Sequence, residues 1–310
     1  MRRIGIHLAI SGLVLAACNA PSGPAADVAD AADSAVETTW RTDLDEWKAQ
    51  RDERLRQPTG WLSLAGLFWL EEGESTVGSD PSSDLVFPPA APSRLGVFER
   101  HGTEFTFVAE PGIELSSDGE PVTRLALASD ASGAPTTLTH GSLSFYVIER
   151  GKRVGVRLKD SESELIASFE GMEYYPVDAS WRIDARFEIY EEPRTIAVPN
   201  VIGGTLESSA PGVAVFEIDG REYRLEPTGD PADEMFFVFG DETNGAETYG
   251  GGRFLYAGPP AADGSIVLDF NRAYNPPCVF TPYATCPLPR PEDKLALEIE
   301  AGEKTFGAPH

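Results

Sequence analysis

The 310 residues include 50 Asp or Glu against 25 Lys or Arg, a formal net charge of −25. A hydrophobic fraction of 41% and an aromatic fraction of 10% exclude a wholly disordered chain. So large an acid excess also excludes a nucleic-acid partner, because nothing basic enough to neutralise a phosphate backbone is present.

Residues 1–17 have the layout of a signal peptide, with Arg2 and Arg3 ahead of a short apolar run over residues 4–15. That run is too short for a good membrane-spanning helix. Leu15-Ala16-Ala17-Cys18 resembles the lipobox of bacterial lipoproteins; the alternative is an ordinary leader with a chance cysteine. The resemblance implies lipidation of Cys18, whose palmitate-like acyl chains would hold the protein on a lipid bilayer. Asn19 in place of an Asp then favours the periplasmic face of the outer membrane within the cell envelope. Residues 18–39, the lipidated Cys and a stretch of Ala, Pro, Ser and Asp, read as a disordered tether.

Residues 40–130 read as an N-terminal helix and β subdomain. Trp40, Leu44, Trp47 and Leu55 recur at helical spacing among charges, which predicts an amphipathic helix over residues 40–56. Pro58-Thr59-Gly60 stops it. The run 61–70 is apolar almost throughout, so it is buried, and its periodicity fits helix and strand equally. Its tryptophans read as core residues. Gly78-Ser79-Asp80-Pro81-Ser82-Ser83-Asp84-Leu85-Val86-Phe87, followed by Ser93-Arg94, is similar in cadence to the start of a forkhead-associated domain, a β-sandwich that reads phosphothreonine. Ser79 stands where that family places an arginine, and no His follows Ser93-Arg94, so phosphopeptide reading is not supported.

Residues 131–310 read as a C-terminal β domain. Short apolar runs separated by turn residues predict strands at 84–87, 104–108, 142–148, 153–159, 187–190, 213–218, 223–225, 235–239, 253–256, 266–270 and 295–299. With 30 Gly and 25 Pro to supply turns, the fold class is mainly β, an antiparallel sandwich or barrel-like domain. In the strand at 153–159, Val154, Val156 and Leu158 share one face, and Arg153, Arg157 and Lys159 the other.

The segment Asp269-Phe270-Asn271-Arg272-Ala273-Tyr274-Asn275-Pro276-Pro277-Cys278, with Cys286-Pro287-Leu288-Pro289 and Ala301-Gly302-Glu303-Lys304, resembles the DUF1684 family. Gly60-Trp61-Leu62-Ser63-Leu64, Arg150-Gly151 with Arg157 and Asp160, and Trp181-Arg182 add to the resemblance. So do Asp241, Thr243, Gly245, Thr248, Tyr249 and Arg253, and it extends from about residue 40 to the C-terminus. It implies no established activity, so residue roles must come from chemistry.

Cys278 and Cys286 have seven residues between them, and in an oxidising compartment they read as a disulfide closing a Pro-rich loop. The Asn275-Pro276-Pro277 run is a candidate for a cis peptide. A metal site would want more Cys or His than His101, His140 and His310 supply, so no metal is expected. No cofactor is expected either: Arg253 follows Gly250-Gly251-Gly252 without the lysine and Ser or Thr of a phosphate loop.

Asp269, Asn271 and Arg272 follow one predicted strand, and Asp241 with Thr243 follows another. Such groups either converge on a pocket or cap turns. The candidate ligand-binding residues are Asp269, Asn271, Arg272, Tyr274, Asn275, Arg157, Asp241, Thr248, Tyr249 and Arg253. Arginine outnumbers lysine 20 to 5, and its planar fork suits carboxylates and phosphates, although ion pairs with the chain's own acids are the simpler account. Gly141-Ser142-Leu143-Ser144-Phe145 lacks the second glycine of a nucleophile elbow, and no catalytic residue stands out. The leading function is binding of a small polar molecule or an envelope protein. A hydrolase using an Asp at the same place, and an architectural lipoprotein, are the alternatives.

Overall fold

A computed structural model describes residues 25–307, so the expected signal peptide and Cys18 lie outside the described residues. The chain divides into two compact units, Met1–Asp45 and Glu46–His310. Helix α1 (Ala25–Arg56) begins inside the segment expected to be a disordered tether, and not at residue 40. Six alanines between residues 25 and 35 account for the early start, since alanine is the strongest helix former. In the first unit, Arg41 pairs with Glu37 one turn back at 2.9 Å and lies over the Trp40 ring. No described helix is long and apolar enough to cross a membrane.

The second unit holds the end of α1; after it comes a single helical turn at Trp61–Ser63, and the apolar run then continues as strand β1 (Leu64–Trp69). A β-sandwich follows, built from β2 (Gly73–Gly78), β3 (Leu85–Val86), β4 (Gly96–His101), β5 (Glu104–Ala109), β6 (Ser116–Ser117), β7 (Glu120–Pro121), β8 (Arg124–Leu127), β9 (Leu138–His140), β10 (Leu143–Arg150) and β11 (Arg153–Asp160). One sheet has the order β1-β11-β10-β9-β6-β7 and the other β3-β2-β4-β5-β8. The forkhead-like cadence covers the end of β2, a turn and β3, which pair in parallel. This sandwich runs on to Asp160, past the subdomain boundary expected after residue 130.

Alternation drives the packing. Phe87, Phe98, Phe107 and Phe145 meet edge to face between the two sheets, with centroids 4.8–6.0 Å apart. Burying each such ring stabilises by about 1.5–3 kcal/mol. Val154, Val156 and Leu158 of β11 enter this core. The opposite face of β11 is covered too, and Arg157 on it is buried.

A short helix α2 (Glu164–Ser168), N-capped by the Ser163 hydroxyl, leads to the second group of strands. Strands β12 (Arg182–Pro199), β13 (Thr205–Ile218), β14 (Arg221–Leu225) and β17 (Ser265–Asp269) form a sheet of order β14-β13-β12-β17, while β15 (Met235–Phe239) pairs with β16 (Arg253–Ala257). Phe187, Phe216, Phe237, Phe239 and Phe270 fill the core between them.

Residues 295–299 are not the expected strand. Leu295 and Ile299 are buried as a strand would bury them, but the backbone here serves other partners. Leu295 N–H donates to Gly240 O, and Leu297 O accepts from Glu242 N–H. The Ile299 and Ala301 carbonyls accept from the Arg253 side chain. The expected cis peptide is also absent, every described peptide bond being trans.

Candidate functional site

The candidate residues do not gather in one place. Arg253 is 0% exposed and is held from three sides. Its Nη2 donates to Asp241 Oδ2 at 2.7 Å and to Ile299 O at 2.8 Å, and Nη1 donates to Ala301 O. Asp241 also accepts from the Thr243 amide at 2.8 Å and from the Thr243 hydroxyl. Thr243, Asn244 and Thr248 close the loop through mutual side-chain bonds of 2.8 Å. Gly251 and Gly252 serve packing: Gly252, at φ +85°, would place a Cβ 2.4 Å from Pro289 of the Cys-Pro-Leu-Pro motif. An open depression of about 650 Å³ passes over Asp241 and these glycines, but the aspartate oxygens are already engaged.

Asp269 caps the turn after β17 by accepting from the Asn271 amide, and Arg272 stands 3.6 Å away. Asn271 clamps the chain at Asp178, donating to its carbonyl at 2.9 Å and accepting from its amide at 3.1 Å. The turn-capping account holds here. Asn275 is engaged as well, its amide donating to Glu303 at 2.7 Å and its side chain to Lys304 O. Glu303 also binds Arg51 of α1 at 2.9 Å, and Gly302 at φ +79° brings the backbone close over Ala273. Tyr249 packs beside Leu55, Phe169 and Phe280.

Arg157 and Tyr274 are the pair the fold does unite. Both line a pocket of about 220 Å³ whose remaining wall is largely aromatic, with Trp61, Phe236, Phe254 and Tyr256. Tyr256 and Tyr274 stack at 6.1 Å with planes 12° apart, and Phe254 meets Tyr274 edge-on at 5.7 Å. Burial first, then the neighbouring Tyr256, pushes the Tyr274 hydroxyl well above its ordinary value, so it stays protonated.

Arg157 is 4% exposed, and its Nη2 donates to Thr285 Oγ1 at 3.1 Å. Its Nε has no partner, and among the described residues no carboxylate pairs with it. Arg253 Nε is also unpartnered, but there the charge is met by Asp241. Arg150 donates to the same Thr285 hydroxyl at 3.0 Å and pairs with Asp130 at 2.6 Å. Two guanidinium groups thus meet at one oxygen with one carboxylate between them. Lys159, on the same strand, is held below its ordinary value by burial and then by the charge of Arg157.

Cys278 and Cys286 form the expected disulfide, with Cα atoms 6.2 Å apart. The loop it closes carries Thr285, and Cys286 itself lines the pocket. Substituting both cysteines by serine lowers unfolding stability by about 2–3 kcal/mol, the chain entropy of so short a loop. Thermal melting of the double variant checks this; an unchanged midpoint would show that the loop is held by its packing alone.

Beside the aromatic pocket lies a second cavity of about 410 Å³ under the β12–β13 hairpin. Arg150, Phe236, Thr285 and Pro287 line both. Its acids, Glu226 and Asp293, each bind Arg290 at 2.7 Å. The sequence did not single out Thr285, Tyr256 or Phe236. Tyr274 was a candidate, as was Arg157 through its place on one face of a predicted strand, but the ion pair that was the simpler expectation for Arg157 is absent among the described residues.

Residues 167–304 match the model of a family described as "Protein of unknown function (DUF1684)". The matched segment contains Tyr256, Tyr274, Thr285 and the disulfide, whereas Trp61, Arg150 and Arg157 precede it. Among solved structures, the chain is similar to the solution NMR structure of an uncharacterized protein of Haloarcula marismortui. The two are 30% identical over 46% of this chain and 80% of that one, with a TM-score of 0.39. No curated protein matches the chain.

Proposed function

We propose that this chain, whose residues 167–304 belong to the DUF1684 family, is a binding protein that takes a small anionic molecule into the aromatic pocket beside Arg157. The observation that carries this reading is a buried guanidinium with no carboxylate partner among the described residues, in a chain rich in acids. A buried charge left unpaired costs several kcal/mol, and a ligand carboxylate or phosphate would return that cost on binding. The aromatic faces of Trp61, Tyr256 and Tyr274 favour an apolar or planar group next to the anion. Asp269, Asn271, Asp241 and Arg253 leave this account because their polar groups hold the chain itself together. The lipobox-like Leu15-Ala16-Ala17-Cys18 supports a place for this binding protein at the envelope membrane, tethered through Cys18.

A thermal-shift titration of the full chain with benzoate, and with neutral benzamide as the control, tests the reading. At a hundred times its dissociation constant, benzoate stabilises by about 2.7 kcal/mol. For a domain of this size that is a rise of about 5–10 °C in melting temperature. Benzamide leaves it unchanged. Equal shifts with both compounds, or none with benzoate, acetate and phosphate alike, would refute an anion site.

A further inference from the structure

The two neighbouring cavities differ in character, and the difference identifies a class of ligand. The smaller is aromatic and has the unpaired charge of Arg157 in its wall. The larger is mostly apolar: Ile196 and Val198 of β12, Leu206 of β13, Val238 of β15 and Leu288 line it. Its volume, about 410 Å³, falls in the range of true ligand cavities and is more than a short anion needs. Where the two meet stands the β10–β11 hairpin: Arg150 lines both cavities, Arg157 the smaller, and Lys152 and Arg153 the larger. The two acids of the larger cavity are taken up by Arg290. Positive charge at the junction and apolar surface beyond it match a molecule with one charged end and one oily end.

We propose that the occupant is a single-chain anionic amphiphile, its head group on Arg157 in the smaller pocket and its unbranched alkyl chain running past Arg150 and Thr285 into the apolar cavity under the β12–β13 hairpin. This rests on the anion-site reading above and extends it. The head is a carboxylate or a phosphate, both of which the fork of a guanidinium accepts. The chain is held by area alone, so each methylene that enters the cavity adds its transfer free energy.

The test is a binding series on the full chain carrying Cys18→Ser, in detergent-free buffer below the micelle threshold of every ligand. Sodium alkanoates from acetate to dodecanoate are compared with decanol and decyl phosphate. Affinity rises about fourfold per methylene, the ~0.8 kcal/mol of a buried CH₂, until the cavity is filled. Decanol binds at least tenfold more weakly than decanoate. The tighter of decanoate and decyl phosphate identifies the head group. Leu206→Glu, at a position 53% exposed and so tolerant of charge, reduces decanoate affinity at least tenfold and leaves acetate and benzoate unaffected. If short anions bind but affinity does not change with chain length, the amphiphile is excluded and the anion site stands. If decanol binds as tightly as decanoate, the head-group assignment is wrong. If no anion of any length binds, both readings fall.

Discussion

Asp241→Ala lowers the unfolding stability of this protein by about 3–5 kcal/mol, the penalty for stranding a buried charge. Its partner Arg253 is 0% exposed, and the carboxylate at 2.7 Å is its one ion-pair partner among the described residues. The two carbonyls that also accept from Arg253 are neutral and stay in place. The same substitution removes the acceptor for the Thr243 amide and hydroxyl, so the loop from Asp241 to Thr248 loses its anchor. At this size the melting temperature falls by about 10 °C. The double variant Asp241→Leu with Arg253→Met recovers much of the loss, because no charge remains buried. A single variant that melts like the wild type would mean that the pair is solvated in solution.

Arg157→Met acts in the opposite sense on stability and strongly on binding. Among the described residues Arg157 has no carboxylate to leave behind, and the Thr285 hydroxyl that it binds keeps its bond from Arg150. Methionine fills similar space without the desolvation cost, and stability rises by about 1 kcal/mol or more. Benzoate affinity falls by about a hundredfold, as truncating one side of a buried charged contact costs some 2–5 kcal/mol. A gain in stability coupled to a loss of binding is the signature of a residue kept for a ligand. Circular dichroism melting and calorimetric titration on the same preparation measure the two effects. A variant that is markedly less stable and still binds would assign Arg157 to the scaffold.

The mainly β fold, the amphipathic helix and the disulfide were legible in the sequence because each is written in local spacing. Leu295, Leu297 and Ile299 show where local spacing stops. They alternate as a strand does, yet the carbonyl of Ile299 is spent on an arginine more than forty residues earlier in the chain. The site was legible only in part, for the same reason. Asp269, Asn271 and Asp241 stand at strand ends, and a strand-end carboxylate looks alike whether it binds a ligand or its own backbone. What separates the two is the distant partner: Asp178 for Asn271, Arg253 for Asp241. The face of β11 that carries Arg157 was readable from alternation. That a disulfide-closed loop would cover this face with a hydroxyl and no acid was not.

The central claim is that Arg157 is left unpaired for a ligand anion. Co-crystallising the protein with 4-iodobenzoate tests it most directly, since the iodine's anomalous scattering locates the molecule without bias. The account predicts a single strong peak among Trp61, Tyr256 and Tyr274, with the carboxylate within hydrogen-bond distance of the Arg157 guanidinium. A peak beside Asp269 and Asn271, or an empty aromatic pocket at saturating ligand, would contradict it.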